Sequence, residues 1–198
     1  MMDEEERAEE KSKPASDLVD EKLFANRTVL IYGQINDKLA RTVCAQLLAL
    51  DSESNDPIRV IISSPGGHVE SGDSIHDIIR FIRSEVTIIG SGWVASAGTH
   101  IYLAVPKERR LSLPNTRFLI HQPSGAAGGQ STDIAIQAEQ IIRMRERLAQ
   151  HIAKATGQDV ERVRKDIDRD FWLDTEGAID YGIVGRVIET MDDLDRKK

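Results

Sequence analysis

Three places in the chain put small, polar and reactive residues where an apolar run gives way to a turn or a helix. They are Ser64-Pro65-Gly66-Gly67-His68, Gly92-Trp93-Val94-Ala95-Ser96-Ala97-Gly98 and His121-Gln122-Pro123. In open α/β sheets, reactive groups collect at such strand ends. Each stretch alone also fits a plain tight turn. Ser96 could act as a nucleophile if a neighbouring base took its proton. At a helix start, the charge developing there would meet unpaired backbone N–H groups and the positive end of the helix dipole. The small residues Ala95, Ala97 and Gly98 would let a substrate backbone approach. On local sequence alone, a helix-capping serine is the commoner role.

Five histidines compete for the base. His76 lies off the Ile75, Ile78, Ile79, Ile82 stripe and is expected to be solvated. His100 and His151 fall in helical segments, where surface or interface roles are commonest. His68 follows two glycines and is a contender. His121 ends an apolar strand at a proline, so its ring would project from the sheet edge, and an imidazole shuttles protons well near neutral pH. His121 is the preferred base, with a structural histidine the alternative. For the orienting carboxylate, Asp166-Ile167-Asp168-Arg169-Asp170 is the densest acidic cluster. Phe171-Trp172-Leu173 beside it should draw part of it inward, where a buried Asp would need a partner such as an imidazole N–H.

These residues need strands that end and helices that begin at the right places, and the apolar pattern supplies both. Thr28 to Tyr32, Ile58 to Ile62, Val86 to Ile89, Leu111 to Leu113, Arg117 to Ile120 and Ile183 to Ile188 read as short strands. Helical spacing marks segments from Asn36 (Leu39, Val43, Leu47, Leu50), through Ile75 to Ile82, from Ala95 or Ser96 to Leu103, from Thr132 to Ala155, around Val160 to Ile167, and from Thr175 to Tyr181. Strand and helix alternate, which implies an α/β fold with a mainly parallel sheet. Residues 1 to 18 read as a disordered acidic tail, 19–190 as a single domain, and 191–198 as a mobile tail.

Composition narrows the function. The 198 residues carry a net charge of −7, and aromatics make up 5%. Phosphates call for a basic surface and single strands for stacking platforms, so nucleic acid is not an expected partner. No apolar run reaches the roughly 18 residues of a membrane span. The acidic start lacks the features of a secretory signal, and a cytoplasmic location is expected. The single cysteine, Cys44, allows no internal disulfide and no cysteine-based zinc site, and a buried, inert thiol is expected. No metal or cofactor is expected.

Taken together, SPGG at Ser64 to Gly67, ASAG at Ala95 to Gly98, LPN at Leu113 to Asn115, IHQP at Ile120 to Pro123, TGQ at Thr156 to Gln158 and DRD at Asp168 to Asp170 resemble the proteolytic subunit of the caseinolytic Clp protease. The likeness spans about Asn26 to Ile188. It implies a crotonase-like spiral of βαβ units with a protruding handle helix after Gly129. It also implies a serine endopeptidase with Ser96 as nucleophile, His121 as base and Asp170 as carboxylate, and an oxyanion hole from the N–H groups of Gly67 and Ala97. Further implications are two stacked heptameric rings, an interface network of Gln130, Asp168 and Arg169, and a Gly125 to Gly129 segment that pairs with substrate by β-addition. Unfolded proteins would be fed in by a hexameric ATPase, the only user of ATP.

The chain departs from that pattern in places. Trp93 and Val94 replace smaller or more flexible residues and are expected to reshape the specificity pocket. Arg59 and Ile61 stand where tyrosines often line the ATPase docking groove, and the acidic N-terminus replaces an arginine- and tyrosine-containing segment. A divergent paralogue, or a non-catalytic or ATPase-independent subunit of a mixed ring, is the alternative reading.

Overall fold

The computed structural model describes residues 14–125 and 128–194. Apolar strands alternate with one-faced helices, so the strands pair in parallel and the helices cover them. Strand β1 (Thr28–Tyr32) pairs with β2 (Ile58–Ser64), and β2 pairs with β3 (Val86–Ala95), all in parallel. Beyond β3 lie β4 (Arg110–Ser112) and β7 (Arg186–Val187), while β5 (Arg117–Ile120) and β6 (Phe171–Leu173) continue the sheet along a second path.

The helices α2 (Asp37–Glu53) and α3 (Val69–Phe81) cross between the first strands, and Asn36 caps α2 by accepting from Leu39 N–H at 3.0 Å. Val43, Leu47, Leu50, Ile75 and Ile79 bury their apolar stripes against Ile31, Val60, Ile62 and Ile88. Each fully buried side chain of this kind contributes roughly 1.5–3 kcal/mol. The short helix α4 (Ala97–Tyr102) is buried along its whole length, with the Tyr102 hydroxyl donating to Leu111 C=O at 2.7 Å. The long α5 (Ser131–Thr156), α6 (Val160–Asp166) and α7 (Thr175–Tyr181) complete the domain.

Four features differ from the sequence expectation. Strand β3 runs through Gly90-Ser91-Gly92 to Ala95 instead of ending at Ile89, because it has two successive partners on one side. Ile88 to Gly90 pair with β4, and Trp93 to Ala95 pair with β5. A register irregularity opposite Ile62 and Ser64 marks the change. A helix, α1 (Ala15–Ala25), starts inside the segment expected to be a tail (1 to 18), and Phe24 anchors its end against the core. The expected strand Ile183 to Ile188 is reduced to Arg186–Val187, since Ile183 and Val184 close the turn after α7 and are fully buried. Met191–Leu194 forms a short 3-10 turn inside the expected C-terminal tail. The remainder of both tails, 1–13 and 195–198, lies outside the described residues.

Candidate active site

Strand β3 gives way to α4 at a strained turn on Ser96. It has φ 56° and ψ −120°, one of two non-glycine residues with positive φ among those described. Such a backbone costs about 1–3 kcal/mol and persists only where its surroundings dictate it. Here they do: Ser96 N–H donates to Leu119 C=O at 2.9 Å, and the Thr99 hydroxyl is shared between Val94 C=O and Leu119 C=O, both at 2.8 Å. The turn lifts the hydroxyl of Ser96 off the helix. It makes no capping hydrogen bond, so the helix-capping role is excluded.

The freed hydroxyl meets His121 instead, with Ser96 Oγ to His121 Nε2 at 2.8 Å. On the other side of the ring, His121 Nδ1 lies 2.9 Å from Asp170 Oδ1. Strand pairing explains that second contact. Strands β5 and β6 are antiparallel, with Ile120 opposite Phe171. The next residue outward on β5 is therefore His121, and the preceding one on β6 is Asp170, so the ladder itself brings imidazole and carboxylate together. Sequence reading missed β6 as a strand; the signal was the run Phe171-Trp172-Leu173 after the acidic cluster. The expected burial of the carboxylate is not what holds it, because the Asp170 side chain is 63% exposed in the single chain.

Two glycines make room beside the serine. A Cβ on Gly66 would lie 2.6 Å from Ser96 Cβ and 2.8 Å from Ala95 C=O. A Cβ on Gly67 would fall 2.2 Å from Ile35 C=O. The bridge between Ile35 and this turn uses Gly66 C=O and His68 N–H, both at 2.9 Å, which leaves the Gly67 N–H outside it. Ala97 is the first residue of α4, so its N–H has no acceptor within the helix.

A cleft opens beside Ser96, walled by Ala97, His100, His121, Met144, Leu148 and His151 among others. Its wall is mainly apolar carbon, fit for a hydrophobic side chain. Trp93 and Val94 do not line it, contrary to expectation. Trp93 is 40% exposed on β3, where its backbone pairs with Arg117, and Val94 is buried in the core. The glycine-rich segment before α5 falls partly on 126–127, outside the described residues.

The other sequence candidates fall elsewhere. His68 is engaged with Ser71 Oγ at 2.8 Å, Asp37 at 3.2 Å and Glu70 at 3.1 Å. Asp168 accepts from Arg145 Nη2 at 3.0 Å, and Arg169 donates to its neighbour's carbonyl, Asp168 C=O, at 3.1 Å. Gln130 precedes α5 and is exposed. Cys44 is half-buried rather than fully buried, and burial raises its pKa, which keeps the thiol protonated and unreactive. His76, expected in solvent, is buried at 5% exposure.

A strained serine, an imidazole and a carboxylate held in one hydrogen-bonded line form an arrangement able to do serine-hydrolase chemistry. The comparisons define the family. The Clp protease family model matches residues 10–191. An ATP-dependent Clp protease proteolytic subunit 3 of Rhizobium etli is 54% identical over 194 residues, covering 98% of this chain and all of that protein. An ATP-dependent Clp protease proteolytic subunit of Paracoccus denitrificans is 60% identical over 166 residues, 84% of this chain and 83% of that one. The solved structure of ClpP1 from Listeria monocytogenes superposes with a TM-score of 0.81 at 55% identity, covering 89% of this chain and 99% of that one. The chain belongs to the Clp protease family and has the activity of its proteolytic subunit, a serine peptidase.

Proposed function

We propose that Ser96, His121 and Asp170 carry out peptide-bond hydrolysis in an endopeptidase. The observation that supports this reading best is the unbroken line of contacts, 2.8 Å from Ser96 Oγ to His121 Nε2 and 2.9 Å from His121 Nδ1 to Asp170 Oδ1. As Oγ attacks the scissile carbonyl carbon, its proton passes to Nε2. Asp170 accepts from Nδ1–H, holding the ring in the tautomer whose Nε2 is basic and stabilising the imidazolium. The negative oxygen of the tetrahedral intermediate takes hydrogen bonds from Gly67 N–H and Ala97 N–H, each donor of this kind being worth roughly 3 kcal/mol. His121 then gives the proton to the leaving amine, and the C–N bond breaks. Water then attacks the acyl carbon as His121 takes its proton; the ester C–O bond breaks, His121 returns that proton to Ser96 Oγ, and the acid product leaves. The apolar cleft beside Ser96 holds the residue preceding the bond that is cut.

The working particle, in this reading, is two stacked heptameric rings in the cytoplasm, each subunit contributing one domain over 19–190. It cleaves unfolded polypeptides and needs no cofactor, with ATP consumed only by a partner ATPase. In a single chain Gln130 is exposed and Asp170 is largely open, which fits completion of this region by a neighbouring subunit. The acidic N-terminus and Arg59 favour altered ATPase docking, a point that pull-down with a Clp ATPase and degradation of a folded substrate would decide.

The direct test is labelling with a fluorophosphonate and turnover of a peptide. The native chain labels at Ser96, and Ser96→Ala loses both labelling and hydrolysis while its native mass stays the same. Hydrolysis at the native rate by Ser96→Ala would remove the assignment.

A further inference from the structure

At the back of the cleft, three histidines with no part in the proposed proton transfers come together. His76 on α3, His100 on α4 and His151 on α5 each offer a ring nitrogen, and these nitrogens lie within 4.8 Å of one another. The His76 and His100 rings stack at 4.4 Å between centroids, and His151 meets both edge-on at 5.7 and 5.6 Å. The three sit on separate helices, so no spacing motif announces them, and the sequence reading expects no metal.

Stacked imidazoles can be mere packing, but two of these rings are held as metal ligands are held. His76 Nδ1 lies 3.0 Å from Asp77 Oδ1, and His100 Nε2 lies 2.9 Å from Asp73 Oδ1. A carboxylate on one ring nitrogen fixes the tautomer and makes the other nitrogen a better donor, the usual outer shell of a histidine–metal site. Asp73 is fixed in turn by Arg147. Arg80 and Lys154 line the cavity on the far side of the cluster, so Asp73 and Asp77 are the groups that offset an ion's charge.

We propose that His76, His100 and His151 bind one zinc-class divalent cation, which ties α3, α4 and α5 together behind the substrate cleft. Three imidazoles suit zinc and its neighbours rather than magnesium or calcium. Tetrahedral ligation with metal–nitrogen bonds of about 2.1 Å needs nitrogens about 3.4 Å apart. The exposed His151 closes that gap by side-chain rotation, on a helix that does not have to move. His100 and His151 wall both the cleft and the cavity behind it. His100 N–H also donates to Ser96 C=O at 3.1 Å, so a bound ion stiffens the turn that presents the serine. Binding itself does not depend on the peptidase assignment.

The test is titration of the metal-stripped, assembled full chain with Zn2+, read by calorimetry and by metal analysis after dialysis, with Co2+ as a spectroscopic probe. The expected result is one ion per chain, tetrahedral Co2+ bands and a raised Tm. His151→Gln should weaken binding tenfold or more, whereas His68→Gln and His121→Ala should leave it unchanged. His151 is exposed, so this variant folds even where replacing the buried His76 does not. Absence of zinc binding at micromolar concentrations, or undiminished binding by His151→Gln, overturns the proposal.

Discussion

Gly66→Ala tests whether the serine's position, rather than its mere presence, sets the rate. The new Cβ would lie 2.6 Å from Ser96 Cβ, and ordinary contact begins near 3.4 Å, so something must give by about 0.8 Å. Ala95 C=O at 2.8 Å and Ala97 N at 3.2 Å close off the neighbouring directions, and both belong to the backbone that carries the serine. Displaced by that amount along its bond to the imidazole, Ser96 Oγ would move from 2.8 to about 3.6 Å from Nε2, where a hydrogen bond no longer exists. A misplacement near 1 Å costs about a hundredfold in rate, so kcat should fall by roughly that factor. The positive φ of 93° adds strain, about 1–3 kcal/mol of stability. Gly33→Ala supplies the control. It has φ 82° and nothing within 4 Å of the added carbon, so it should lower Tm and leave kcat alone. The assay is peptide turnover and fluorophosphonate labelling rate, beside thermal melts and native mass. Native kcat in a folded Gly66→Ala would refute the geometric reasoning.

Two further outcomes are expected. Asp170→Asn should lower kcat by up to about 10 000-fold with a small change in KM; an unchanged kcat counts against the carboxylate. Asp51 accepts from Ser84 N–H at 2.8 Å, Ser84 Oγ–H at 2.9 Å and Arg83 N–H at 2.9 Å, and chiefly the Ser84 amide holds its pKa below the usual carboxylate value. The folded pKa being the lower one, this stabilisation is present above the unfolded value of about 4 and disappears as pH falls through the folded value. Urea unfolding should therefore find Asp51→Asn weaker than the native chain at pH 7, with the two converging in acid; a gap of constant size would contradict the linkage.

Much of the architecture was legible because it rests on short-range rules. Helix α7 runs over the expected Thr175–Tyr181, and Asn36 caps α2, since capping, glycine stops and apolar periodicity act within a few residues. The N-terminal helix escaped because its charged residues carry no clear apolar stripe, and Phe24 near its end docks it on the core. Strand β3 was cut short at Gly90 because glycines read as a stop, while two successive partner strands carry it on to Ala95.

For the site, residue types and motifs pointed to Ser96, His121 and Asp170, but the sequence left the serine's local role open between nucleophile and cap. Tertiary contacts rule out the cap: hydrogen bonds from β5 hold the positive φ that frees the hydroxyl, and antiparallel pairing of β5 with β6 seats the carboxylate on the ring. The cluster of His76, His100 and His151 was invisible in one dimension for the same reason. Local sequence encodes which groups exist and which element carries them; the distances between groups on different elements are set by how those elements stack, and no spacing along the chain records that.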